Sequence, residues 1–131
     1  MKNTQQKHYL TASLAVAALT CFSTAQAATE TWDGGHSSAN AWYANINWAD
    51  DTAPVDGDDL VFTGKTRENH AAFANWGGDN DAQISSITFD VNAGVFVIGD
   101  AGGGTYKMLG DITNDSTNLQ TLNFPLQLNA N

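Results

Sequence analysis

The sequence predicts an all-β domain behind a cleavable export signal, and a β-solenoid is the architecture that best suits its strands. Three observations carry this. Apolar residues after Ala27 fall in short runs or alternate with polar ones at period two, as in Leu122, Phe124, Leu126 and Leu128. Gly, Asn and Asp interrupt each run at strand length. No stretch beyond the first 27 residues shows the repeat of about 3.6 residues that marks an amphipathic helix.

Residues 1–27 read as a signal peptide. Lys2, Lys7 and His8 form a polar leading region, Leu10 to Phe22 an apolar run of 13 residues, and Ala25-Gln26-Ala27 places small side chains where a signal peptidase needs them. The run falls short of the roughly 20 residues needed to cross a bilayer. Cys21, the only cysteine, follows Ala18-Leu19-Thr20, a poor match to a lipidation site. Cleavage after Ala27 leaves 104 cysteine-free residues, so neither disulfides nor thiolate metal sites support the fold. The expected location is secreted or at the cell surface.

All 14 acidic residues follow Ala27, against only Lys65, Arg67 and Lys107, a formal charge of −11 for the exported part. Such a surface repels nucleic acid and anionic membranes. Neutral sugars, divalent cations and simple solubility outside the cell are all compatible with it. A chain of this length buries about 60–65% of its unfolded surface, enough for one modest core.

Along the chain, residues 28–53 are rich in Asn, Asp, Ser and Gly and punctuated by Trp32, Trp42, Tyr43 and Trp48. Gly34-Gly35 marks a turn, with Trp42, Ile46 and Trp48 expected on one side of short extended pieces. Asp56-Gly57-Asp58-Asp59 reads as a turn and Leu60-Val61-Phe62 as a buried strand. Residues 65–83 carry no assigned element. Strands are then expected around Ile84–Phe89, Val95–Ile98, Tyr106–Leu109 and Ile112–Thr113, with one last alternating strand from Leu122 to Leu128.

Strands this short are not stable singly or as isolated hairpins. Without hairpin dipeptides such as Asn-Gly, they suit coils stacked about 4.8 Å apart. A sandwich or meander stays open, because the period is loose. In the solenoid reading, residues 28–64 form an N-terminal cap plugged by Trp32, Trp42, Trp48 and Phe62. Residues 65–131 form the first coils, with a ladder of Ile87, Phe89, Phe96, Ile98, Leu109, Ile112, Leu122 and Phe124.

Several pieces in order resemble bacterial proteins with autotransporter-associated β-strand repeats. They are Thr31-Trp32-Asp33-Gly34-Gly35, Asn47-Trp48, Ala53 to Phe62, Ile84 to Asp90, Gly110 to Asn114 and Gln120 to Leu128. The resemblance implies a right-handed parallel β-helix, displayed as a passenger-type segment, with no catalytic residue to carry over. It also implies many more coils and an outer-membrane barrel or sorting signal downstream, so the chain is expected to be the first part of a longer protein. The expected function is a non-enzymatic structural stalk or adhesive surface, partnered by further coils and by an extracellular glycan or matrix, with no cofactor.

Two other functions compete. Exposed tryptophans stack on sugar rings, so Trp42, Trp48 and Trp76 are candidates for a carbohydrate-binding face; core packing is the competing role, and Trp76, beside Gly77-Gly78-Asp79, is the best placed for exposure. A fragment of a β-helical polysaccharide-degrading enzyme would need two carboxylates about 5–10 Å apart, which sequence does not locate. Asp56, Asp58 and Asp59 offer oxygen ligands suited to calcium, yet Thr63 stands where an EF-hand loop needs Glu, so a solvated turn is the simpler account. His36 and His70 lack zinc-pair spacing and are expected at the surface. Ser37, Ser38, Ser85 and Ser86 lack a nucleophile-elbow context. Asn114-Asp115-Ser116 matches a glycosylation sequon of low specificity.

Overall fold

A computed structural model describes residues 27–72, 81–100 and 104–128 of the chain. The signal segment, Trp76, Asp79 and the last three residues lie outside the described residues. The described chain is all-β: nine strands and one 3-10 turn, Asn45–Asn47, with no α-helix among the described residues. The strands are β1 Thr29–Trp32, β2 Asp58–Phe62, β3 Asn69–Ala72, β4 Asp81–Phe89, β5 Val97–Asp100, β6 Thr105–Met108, β7 Ile112–Asn114, β8 Thr121–Asn123 and β9 Leu126–Leu128.

Every strand pair is parallel. The first sheet runs β1-β2-β4-β6-β9 with β7 also on β4; the second runs β3-β5-β8. Parallel strands cannot be joined by tight hairpins and need a crossover. Here the crossover is the other sheet: β3 lies between β2 and β4 in sequence, and β5 between β4 and β6. The return distance shortens along the chain. Glu30 pairs with Leu60, 30 positions on; Leu60 with Ile87, 27 on; Ile87 with Ile112, 25 on; and Tyr106 with Leu126, 20 on.

Parallel register places like positions over one another, so each inward column becomes a ladder. Trp32, Phe62 and Phe89 form an aromatic one, the last two rings stacked at 5.2 Å. Leu60, Ile87 and Ile112 form an aliphatic one, and His70, Ile98 and Leu122 a third in the second sheet. The alternation that builds them is visible in β2, where Asp58, Leu60 and Phe62 are buried while Asp59 and Val61 are half-buried.

β4 keeps two ladders in phase through an irregularity. Asp58 pairs with Ile84 but Asp59 with Ser86, so one extra residue is absorbed at Ser85. Both Ala82 and Ile84 before it, and Ile87 and Phe89 after it, therefore point inward. β6 then pairs with the first half of β4 and β7 with the second. At the corner between them Gly110 lies so close that a Cβ there would sit 2.6 Å from the Ser85 carbonyl oxygen.

The structure departs from the sequence reading at four places. The last alternating run is two strands in different sheets, β8 on β5 and β9 on β6, because the chain bends at Phe124-Pro125 and Pro has no N–H to continue a ladder. Residues 69–72, unassigned from sequence, form β3, whose buried His70 hid the alternation. Leu109 lies in the bend before Gly110 and is 41% exposed, so it is not a ladder residue. Ile46 sits in the 3-10 turn and points outward, unlike Trp42 and Trp48.

Burial separates the interior rungs from the last one. Ile87→Ala is expected to cost about 2–5 kcal/mol, whereas Ile112→Ala in the same column, half-exposed, should cost about 1 kcal/mol or less. Urea unfolding of the two variants reads the difference.

Candidate functional site

The side chains that combine burial, polarity and close geometry gather where the chain caps β1. The free edge of β1 is closed by the segment around the 3-10 turn. Trp32 and Trp48 form an antiparallel bridge, the Ala49 amide donates to the Thr31 carbonyl at 2.8 Å, and the Asp33 and Gly34 amides donate to the Asn47 carbonyl. An antiparallel partner on an otherwise parallel sheet ends the stacking on this side.

Asn47 is fully buried and organises the segment. Its Oδ1 accepts from the His36 amide, and its Nδ2 donates to the carbonyls of Ala39 and Ala41 at 3.1 Å each. Gly34, at φ 65, makes the turn that side chains disfavour. Arg67 holds that turn from outside: Nε donates to the Gly34 carbonyl, Nη1 to Asn40 Oδ1 and Nη2 to the His36 carbonyl. His36 Nδ1 in turn accepts from the Ser38 and Ala39 amides.

Beneath this lid lies a cluster of rings. Trp48 Nε1 donates to the Trp42 carbonyl at 2.7 Å, and Trp42 Nε1 donates to His70 Nδ1 at 3.0 Å. His70 stacks on Trp32 with centroids 4.2 Å apart and on Phe62 at 5.3 Å, with Phe96 edge-on at 5.7 Å. An indole nitrogen only donates, so Nδ1 is the acceptor and the His70 proton sits on Nε2, which is buried without a hydrogen-bond partner. Burial lowers the His70 pKa from its ordinary 6.5 to about 3.

Glu30, inward-facing at the other end of β1, is another buried titratable group. Its Oε2 has no hydrogen-bond partner, and burial, followed by the nearby charges of Asp50 and Asp58, raises its pKa above the ordinary 4.5. Asp58 is spoken for: Oδ1 accepts from the Ala28 amide at 2.9 Å and Oδ2 from the Val55 amide at 2.8 Å. It thereby ties the start of β1 to the turn before β2.

The sequence-based candidates are redistributed by these positions. Trp42 and Trp48 are fully buried and present no face to a sugar; their bulk fills the cap, so their assignment to a carbohydrate-binding face is corrected to core packing. Trp76 lies outside the described residues. Asp56, Asp58 and Asp59 do not converge as calcium ligands. Asp56 accepts from the Gln83 amide and Asp59 from the Ser86 hydroxyl, each binding β2 to β4, while Asp58 serves the cap. Among the described residues no three His, Cys, Asp or Glu side chains are grouped to hold a metal ion. Asn114 Oδ1 accepts from the Ser116 amide and hydroxyl within its turn.

The expectation of a surface His70 is corrected, since its ring is buried among Trp32, Phe62 and Phe96, and sequence reasoning passed over two further residues that organise the site, Asn47 and Arg67. His70 carried a signal in its position between Asn69 and Ala71-Ala72, a short alternation with small residues around it. The partners of Asn47 and Arg67 lie in loops, where no periodicity marks them.

Comparison with known proteins yields no family model, no curated protein and no solved structure that matches this chain.

Loss of Asn47 strands three backbone partners, one buried and two part-buried, so Asn47→Ala is expected to cost about 2–4 kcal/mol in denaturant unfolding. Glu30→Gln should stabilise the protein at neutral pH, because it removes a buried charge disfavoured in the folded state. With the folded pKa raised, that gain must shrink as the pH falls toward 4.5, where the unfolded chain also takes up the proton. Thermal melts of both proteins from pH 7 to pH 4 test the sign.

Proposed function

We propose that this chain is the exported cap and first coils of a right-handed β-solenoid, serving as a non-enzymatic structural stalk or adhesive surface outside the cell. The observation that carries the reading is the inequality of the two ends of the parallel stack. At one end an antiparallel bridge and buried tryptophans close the edge of β1. At the other, β7, β8 and β9 each pair with a single strand among the described residues.

The last rung also leaves its apolar side chains uncovered. Ile112 follows Ile87 in register yet is 40% exposed, and Leu128 follows Met108 yet is 68% exposed. Backbone groups and apolar columns both lie ready for another parallel rung, which is how a repeat array extends. Side-chain bonds between successive rungs favour a load-bearing element: Asp56 to the Gln83 amide, Thr63 to Asp90, Glu68 to the Val95 amide and Gln120 to the Phe96 amide. The acidic, cysteine-free composition after Ala27 suits an extracellular setting, and the resemblance to autotransporter-associated repeats points the same way. An extracellular glycan or matrix is the class of partner such a surface meets.

Fractionation of producing cells, with N-terminal sequencing of the recovered protein, tests this. A protein that begins at Ala28 and is cleaved by protease added to intact cells supports it. A cytosolic protein retaining Met1, or turnover of a pectin-like or chitin-like polymer, would sink it.

A further inference from the structure

The cap is attached to the second sheet through Asn40 to Trp42, and a histidine sits at the centre of that attachment. The Trp42 amide donates to the Ala71 carbonyl, the Ala71 amide to the Asn40 carbonyl at 2.8 Å, and Asn40 Nδ2 to the Asn69 carbonyl. Ala41 thus pairs in parallel with Ala71 and covers the outer edge of β3. Between these contacts the His70 ring points inward and its Nδ1 accepts a hydrogen bond from Trp42 Nε1 at 3.0 Å.

We propose that His70 is an acid-sensitive latch: adding a proton at Nδ1 turns the acceptor for Trp42 into a donor and releases the cap segment from β3. The protonated ring would set Nδ1–H against the indole N–H, two donors 3.0 Å apart, while Nε2–H already lacks an acceptor. The cation would sit among Trp32, Phe62 and Phe96. Aromatic faces return about 2 kcal/mol to a desolvated cation. Burying an unpaired charge costs several kcal/mol, so the cost dominates and the site opens instead.

Among the described residues no acid is placed to compensate the charge. On β1 the inward titratable group is Glu30, two positions before Trp32; on β2 it is Asp58, four before Phe62 and committed to the Ala28 and Val55 amides. On β5 Asp100 is in register with Ala72 and accepts from the Tyr106 hydroxyl. Beside β3, Arg67 is turned to the Gly34 loop and Glu68 to the Val95 amide. In the cap, Asp33 bonds the Gly35 amide, His36 the Ser38 and Ala39 amides, and Asp50 the Thr52 amide. The low affinity of His70 for a proton has burial as its cause.

Opening would uncover the backbone edge of β3, a surface able to pair with another strand. The folded pKa lies below the unfolded one, so the closed form is fully favoured above pH 6.5 and loses stability as the pH falls from there toward 3. One proton is linked, so the opening constant should approach a tenfold rise per pH unit below 6.5, or about fiftyfold between pH 6.5 and 4.5. The latch does not depend on the solenoid reading, since it uses only the cap and β3.

Amide hydrogen exchange on the purified protein, corrected for intrinsic rates, is the test. The Trp42 and Ala71 amides should lose protection about fiftyfold from pH 6.5 to 4.5 while the Ile87 amide in β4 keeps its own. His70→Gln retains an acceptor for Trp42 without the titration, and its Trp42 and Ala71 protection should be flat over that range. Equal acid loss in His70→Gln overturns the latch. If that variant does not fold, the wild-type ring is followed by NMR: a His70 that stays neutral while Trp42 and Ile87 lose protection together also overturns it.

Discussion

Parallel backbone pairing in a fixed register is the constraint from which the rest of the structure follows. With Trp32 over Phe62 over Phe89, and Leu60 over Ile87 over Ile112, each inward residue covers its counterpart one return earlier. A slip of one position would turn every ladder inside out, because strand side chains alternate faces. The extra residue at Ser85 is tolerated only because it falls between two ladders and resets both. Register also sets return length, and the shortening from 30 positions to 20 shows how much loop each return can shed while its inward columns stay aligned.

Since parallel strands exchange no tight turns, loops between them need their own restraints. The chain supplies these by sending polar side chains to backbone groups of the neighbouring rung. Asp56, Glu68, Asn118 and Gln120 all do so, toward Gln83, Val95, Ala93 and Phe96. Several of the many acidic residues after Ala27 are therefore structural acceptors as well as surface charge. Calcium ligation is the lesser reading of Asp56-Gly57-Asp58-Asp59 beside a solvated turn, and register sends those carboxylates to different partners.

The cap inverts the usual relation of polar and apolar. Its rings exclude water so completely that the polar atoms they carry must pair among themselves: Trp48 to the Trp42 carbonyl, Trp42 to His70, Asn47 to three backbone partners. Two atoms are left over, Glu30 Oε2 and His70 Nε2, and both belong to groups that titrate. Unsatisfied buried groups are rare in folded proteins and mark where stability is sensitive to conditions. The two have opposite dependence on pH: acid relieves Glu30 and burdens His70.

Composition and local pattern were enough to read from the sequence an all-β chain and most of its strands, because period-two alternation and Gly, Asn or Asp breaks are written in neighbouring residues. Only the tertiary structure decided which strands are neighbours, since pairing joins residues 20 to 30 positions apart and leaves no mark on either partner alone. For the same reason it alone divided Leu122 to Leu128 between two sheets, took Trp42 and Trp48 from a supposed sugar face into the core, and made His70 the partner of Trp42. Side-chain chemistry announces what a residue is able to do. Burial and the geometry of distant partners determine what it does.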